Sequence, residues 1–455
     1  VFSPATHTRL PAYQTPTVSD LQQKLREILR ELSVGDNADR RQNIFTDRSL
    51  YGCSDWQRND MKYTTHAILI LCWLTLVAAN PTYAQTVITG RVLDNDNNPV
   101  PYANIITGIY GSSSNESGHF EVKLPDLQAP AILKISCIGY QTKQITLQPG
   151  PKQIDLKAIR LDRKVTQLTE VVVRAKLATV EETLAKIKKN LPKNYNYEPF
   201  QRQEYVVVRK YDRSNRLVQK AEVVMDQHLS RGYSKNPKYA INFIQKRTTG
   251  DGARVDDEEF YWFDFLCLAK NDINLVSYPY SKPKAYRYSI DKTVYEHDGV
   301  DALAINYEKI DPSNRLDGGW LTAQRIFGKI YVNEHDHAIL RIEENIILKE
   351  FDPTEKSSKE QLFKPHIQFR HLRSTANFRK FGDHYYLSHA AVECVNADKA
   401  DFNGTVRSDL LVTAYLPFGK VCDPCNIEFS KAKSDPEFWK QQTIYLDEIG
   451  ELEKQ

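Results

Sequence analysis

The sequence predicts a mainly β protein of two domains, a small β-sandwich followed by a larger antiparallel β-meander with a few helices. Three observations carry this. With 25 Tyr and 18 Phe against only 2 Met, the chain is rich in side chains that suit a pleated, half-buried face. From Thr86 the apolar residues recur at every second position, in short runs separated by turn residues about 8 to 12 positions apart. After residue 200 the runs lengthen and come in pairs around short polar turns.

A chain of 455 residues has room for two well-buried cores. Lys plus Arg number 61 and Asp plus Glu 58, a net charge of +3. Both signs are interspersed, so no basic stripe points to nucleic acid and no acidic tract to a polyelectrolyte role.

Met61–Gln85 sets the compartment. Lys62 and His66 form a basic start, Ala67–Ala79 is an apolar run of 13 residues, Asn80-Pro81 breaks it, and Thr82-Tyr83-Ala84 is a small-x-small site. This is the pattern of a signal peptide, residues 61–84, with cleavage expected after Ala84. The run is short of the roughly 20 residues that span a bilayer. Ile70 and Leu71 before Cys72 are too large for a lipidation site. Residues 1–60 are expected to be a spurious upstream extension, although Ser19–Leu32 has helical spacing at Leu21, Leu25, Ile28 and Leu29.

Strands are expected at Val87–Asp94, Val100–Thr107, His119–Leu124, Ala131–Cys137, Gln141–Leu147 and Gln153–Leu161, with turns at Asn95–Asn98 and Ser112–Gly118. Pro99 and Pro101 suit an edge. Together these make a sandwich over residues 86–163. Gly90-x-Val92-x-Asp94, Pro99-Val-Pro-Tyr-Ala-Asn-Ile105, Ser114-Asn-Glu-Ser-Gly-His-Phe120 and Ile135-Ser-Cys-Ile-Gly-Tyr140 resemble, in that order, the carboxypeptidase-like regulatory domain. The resemblance implies a transthyretin-like β-sandwich, and the domain is not the catalytic part of a carboxypeptidase. Where that family has Thr and Asp in a turn, this chain has Ser114 and Asn115, whose side-chain oxygens still bond turn amides. Gly118 and Gly139 are expected at positive φ or at close backbone approaches.

Residues 164–177 read as a linker and strand. Within them Leu168–Ala175, LTEVVVRA, is similar to the segment that follows this domain in TonB-dependent outer-membrane receptors and other secreted proteins of Gram-negative envelopes. The plug expected of a receptor does not follow. Residues 178–455 begin instead with an amphipathic helix, Val180–Leu191, with Leu184, Ile187 and Leu191 on one face, ended by Pro192. Hairpins are then expected around turns at 212–215, 297–299, 334–337 and 381–383, closed by a strand at Thr405–Leu416. A helix followed by such a meander resembles the curved half-barrel of periplasmic lipoprotein carriers. Asn242–Phe265 and Asp352–Lys364 are the least regular stretches, and Asp435–Trp439 opens a helical tail that docks Phe438 and Trp439 onto the sheet, on the same face as the Val180–Leu191 helix.

Motifs with possible chemistry are few. Cys422-Asp-Pro-Cys425 could be a redox dithiol, half a zinc site, or a small local disulfide. No βαβ unit, second C-x-x-C or His pair accompanies it, which favours a disulfide or free pair. Five Cys follow Ala84, an odd number that excludes a complete disulfide framework. His335-Asp336-His337 could offer two imidazoles on one strand face, with His384 and His389 nearby in sequence, but a turn is needed there; no metal and no cofactor are expected. Asp317-Gly-Gly-Trp320 reads as a turn feeding a strand. No His-x-x-Glu, His-Glu-x-x-His, Gly-x-Ser-x-Gly or glycine-rich phosphate loop occurs.

The chain is therefore expected to be a non-catalytic secreted binding or docking module at the periplasmic face of the outer membrane. Its partner would be an envelope protein, a lipid or a glycan, and not nucleic acid. Residues expected to line an apolar mouth in the meander are Tyr205, Phe260, Trp262, Trp320 and Tyr331. One alternative is a hydrolase of peptides or glycans with dispersed carboxylates. Another is a relative of outer-membrane barrel proteins lacking the barrel, against which stand the charged C-terminal residues and the Lys and Arg on both faces of the meander strands.

Overall fold

The computed structural model describes residues 85–125, 127, 129–170, 172, 179–234, 239–250, 283–312, 323–348, 369–396, 404–416, 432–440 and 442. The expectations for residues 1–84, Phe260, Trp262, Asp317–Trp320, Asp352–Lys364, Cys422 and Cys425 lie outside the described residues. No described helix is long and apolar enough to cross a membrane.

The first domain is a β-sandwich. One layer places β1 (Gln85–Asp94) between β4 (His119–Pro125), antiparallel, and β7 (Gln153–Leu161), parallel. The other runs β6 (Lys143–Leu147), β5 (Ala131–Ser136), β2 (Asn104–Thr107), β3 (Tyr110–Ser113). Period-two alternation turns Ile88 and Val92, Phe120, Val122 and Leu124, and Leu133 and Ile135 into one buried core. The turn residues behave as expected. Ser114 Oγ accepts from Ala103 N at 2.9 Å, and Asn115 Oδ1 accepts from the amides of Ser117 and His119 at 3.0 and 2.9 Å. Gly118 and Gly139 have φ of 81° and 85°.

Two details differ from the sequence reading. The second strand starts only at Asn104, because Tyr102 takes a left-handed φ of 59° after the two prolines. Tyr110–Ser113, of which Ser112 and Ser113 were expected in a turn, forms β3, since this stretch finds partners on both sides: β2 in the sandwich and β18 (Gly404–Leu416) in the second domain.

A short strand β8 (Val165–Gln167) leads to helix α1 (Val180–Asn194) and the meander. The latter comprises β9 (Phe200–Asp212), β10 (Leu217–Leu229), β11 (Tyr239–Gly250), β12 (Tyr286–His297), β13 (Val300–Lys309), β14 (Ala323–Asn333), β15 (Ile339–Leu348), β16 (Phe369–Phe381), β17 (His384–Asn396) and β18. The spatial order is β11-β10-β9-β18-β17-β16-β15-β14-β13-β12-β8, antiparallel throughout. The four expected hairpin turns are present. Asp298 and Gly299, at φ 55° and 81°, form the left-handed pair that suits a two-residue hairpin. The stretch from Asn242, read as irregular, is strand β11 as far as Gly250, held by its register with β10.

α1 buries Val180, Leu184, Ile187 and Leu191 in one apolar cluster with Val206 and Val208 of β9 and Leu410 and Val412 of β18. It continues through Pro192 to Asn194 rather than stopping there. Pro192 lies in the last turn, where the Tyr195 amide still closes on Leu191 O at 2.9 Å and the Asn190 and Asn194 side chains donate to Asp336 O at 3.1 and 3.0 Å. The tail helix α2 (Pro436–Lys440) does dock on the sheet, but against the other face. Trp439 packs with Tyr205, Val207, Val224 and Leu411, which alternate along their strands with the residues facing α1. The sequence reading had placed α1 and the tail on one face.

Candidate functional site

Of the expected mouth residues, Tyr205 and Tyr331 are described and fall in different clusters; Phe260, Trp262 and Trp320 lie outside the described residues. Tyr205 is 4% exposed in the Trp439 cluster. Its hydroxyl donates to Glu222, which also pairs with Arg247 and lies 3.5 Å from Lys220 Nζ. Burial acts to raise the Glu222 carboxyl, but Arg247 and Lys220 hold it below its ordinary value. Tyr331 belongs to the α1 cluster and packs edge-on against Tyr295 at 5.4 Å, with the Arg341 guanidinium 5.7 Å from its ring. His335–His337 form the β14–β15 turn, with Asp336 Oδ1 accepting from Ala338 N at 3.0 Å and Asp336 Oδ2 from the Tyr385 hydroxyl at 3.0 Å. Among the described residues no cluster of His, Cys, Asp and Glu is arranged to hold a metal ion. Cys137 and Cys394 are buried free thiols.

The most developed polar constellation joins the two domains. His389 on β17 is fully buried. Its Nε2 bonds Asp409 Oδ1 at 2.9 Å, its Nδ1 meets the Asn377 amide nitrogen at 3.1 Å, and Tyr102 of the sandwich stacks on the ring at 4.2 Å. Asp409 also pairs with buried Arg209. Burial works against the charge on Asp409, yet Arg209 and then His389 keep its carboxyl below the usual range. Glu116 of the sandwich reaches Arg209 at 4.0 Å and Arg407 at 3.8 Å. This constellation superficially resembles an acid–imidazole pair of a hydrolase. Chemically it is closed, because both ring nitrogens already hold partners and an aromatic ring covers the face.

A second constellation lies where β17 and β18 part. Their register runs only from His389↔Leu411 to Val395↔Thr405. Beyond it, β3 takes the vacated side of β18 at Ala414↔Tyr110. Around this split sit Phe200, Tyr233, Phe381, Tyr386 and Tyr415, each ring within 6.5 Å of another in the group. Arg379, 2% exposed, stands beside them with its guanidinium 5.1 Å from the Tyr415 ring. Sequence reasoning missed this group. Tyr385-Tyr386 and Tyr415 looked like ordinary strand aromatics, and no local signal says that β17 and β18 separate there.

Clefts open at the surface among the described residues. One of about 590 Å³ lies at the end of the sandwich, lined among the described residues by Thr107–Tyr110, Leu124, Pro125, Leu127 and Pro130–Ile132, none of them charged. Another, about 420 Å³, is lined by Arg287, Glu308, Lys309, Ile310, Arg325 and neighbours near the ends of β13 and β14.

A family described as the CarboxypepD_reg-like domain matches residues 88–173. The comparison with curated proteins returned no match. Among solved structures, the chain is similar to a domain from Vibrio parahaemolyticus described as an outer membrane lipoprotein-sorting protein. The two are 9% identical with a TM-score of 0.24 over 53% of this chain and 94% of the other. It is also similar to a LolA superfamily protein from Nitrosomonas europaea, at 11% identity and a TM-score of 0.22 over 54% and 97% of the two chains.

Proposed function

We propose that the protein is a non-catalytic binding or docking module of the Gram-negative envelope, exported by the 61–84 segment and working at the periplasmic face of the outer membrane. Its partner is a lipid or an apolar part of an envelope protein. The carrying observation is the contrast between closed polar chemistry and open apolar surface. The buried imidazole and carboxylate of the His389–Asp409 pair are committed to each other and their neighbours. The cleft at the end of the sandwich is walled, among the described residues, by Ile109, Leu124, Leu127, Pro130 and Ile132, with Ile132 57% exposed. Apolar walls with few polar groups suit a hydrocarbon partner, whereas hydrolysis needs titratable groups free to move protons.

The test is to incubate purified protein with envelope extract, recover it, and identify what travels with it by mass spectrometry. Co-recovered lipid or envelope protein, lost on replacing Ile132 by Asp, is the expected result. Turnover of peptide or glycan substrates, abolished by His389→Ala, would replace this reading with the hydrolase.

A further inference from the structure

We infer that Arg379 is the centre of a binding site for an anionic group, a carboxylate or phosphate. The inference rests on the reading of the protein as a binding module and names the chemistry of one ligand group. Three buried sheet arginines show the contrast. Arg202 lies 2.5 Å from Glu204 and Arg209 pairs with Asp409, but Arg379 has no carboxylate partner among the described residues. Its Nη2 donates to Val412 O at 3.3 Å, and its Nη1 has no hydrogen-bond partner. The adjacent Tyr415 hydroxyl, on a residue 1% exposed, faces the guanidinium as its polar neighbour, and its own O–H has no acceptor. A buried cation without a counter-charge is among the costliest arrangements a fold can hold, and two unpaired donors on neighbouring residues are what an oxyanion would satisfy.

The niche is built by the fold. A register shift between Asn377 and Phe378 sets Arg379 opposite Tyr386 and turns it toward β18, past the point where β17 stops pairing. On the far side the strand is Gly111 of β3, where a Cβ would stand 2.3 Å from Arg379 Nη1. Only glycine lets the guanidinium lie against that backbone. Burial lowers the affinity of Arg379 for its proton, and the neighbouring Tyr415 partly offsets this. A bound anion would add the compensation that a carboxylate supplies to Arg209. Phe381, half-buried at the β16–β17 turn, stacks on Tyr415 at 6.4 Å. The surrounding aromatics suit an anion carried on an apolar body.

The test is calorimetric titration of the purified protein at low ionic strength with sodium phosphate, sodium acetate and sodium laurate, beside the variants Arg379→Gln, Tyr415→Phe and, as a surface control, Arg373→Gln. Circular dichroism of each variant confirms folding, and Tyr415→Phe keeps the ring packing if Arg379→Gln does not fold. Saturable binding of at least one probe, weakened ten-fold or more by Arg379→Gln, several-fold by Tyr415→Phe and unchanged by Arg373→Gln, is expected. Phosphate or acetate binding without laurate binding would keep the anion site and remove the lipid partner. Laurate binding equal in wild type and Arg379→Gln would keep the lipid partner and overturn the site. No binding by any probe, or an ordered water alone beside Nη1 in crystals soaked with phosphate, would also overturn it.

Discussion

Asp409 illustrates how much one carboxylate can hold when burial and partners oppose each other. It bonds His389 at 2.9 Å and pairs with Arg209, both of them buried. Removing one partner leaves the others charged or polar without water, so Asp409→Asn should cost about 3 kcal/mol in urea unfolding. The folded pKa lies below the unfolded one. Its contribution is thus complete above the ordinary carboxylate range, and it is lost as pH falls through the depressed folded value. Urea midpoints of wild type should therefore fall on the acid side more steeply than those of Asp409→Asn, and equal slopes would show that the pair adds nothing. Gly118 sits at φ 81° with a Cβ position 2.3 Å from Val92 O. Gly118→Ala should destabilise the sandwich by more than 1 kcal/mol, read as a shift of the thermal midpoint.

At the scale of elements, two short helices close opposite faces of one sheet. Leu184 of α1 is fully buried in the larger cluster, so Leu184→Ala should cost about 3 kcal/mol from lost transfer energy and the cavity left behind. The tail is held differently. Trp439 is 3% exposed, its Nε1 donates to Lys246 O at 3.2 Å, Arg247 lies over its ring, and Lys433 bridges to β11 through Lys246 N at 2.8 Å. Trp439→Ala should free residues 432–440 to limited proteolysis while leaving the far-UV spectrum of the sheet nearly intact. Protection equal to wild type would mean that the backbone bridge alone retains the tail.

At the scale of the whole molecule, the two domains share a sheet. The sandwich layer β6-β5-β2-β3 continues into the meander through one β3–β18 pairing, Ala414↔Tyr110. Lys134 of the sandwich also pairs with Asp298 at 2.9 Å, and the Gly139 amide donates to Glu296 O at 2.9 Å. A regulatory-type sandwich joined in this way should unfold together with the meander. Calorimetry of wild type is expected to give one transition; two resolved transitions would show that the sandwich and the meander unfold independently despite the bond from Tyr415 N to Ile109 O at 3.4 Å.

Much of this was legible in the residues. Period-two alternation, the Asp-Gly turn at 298–299 and the 3.6-residue spacing of Leu184, Ile187 and Leu191 are local properties, so the strands, hairpins and α1 follow from a few neighbouring positions. The sandwich motif was likewise local, carried by turn residues whose side chains bond amides two to four positions away, as Asn115 does. The residues chosen for a common mouth illustrate the limit. Tyr205 and Tyr331 both looked like inward aromatics, yet they occupy different clusters, because the face a strand residue takes depends on register and on which layer covers it. The parting of β17 from β18, the arrival of β3 in the gap and the placement of Arg379 beside Gly111 join positions more than 250 residues apart. No local pattern encodes such a meeting, because it is the packing of whole strands that decides which buried charge finds a partner and which does not.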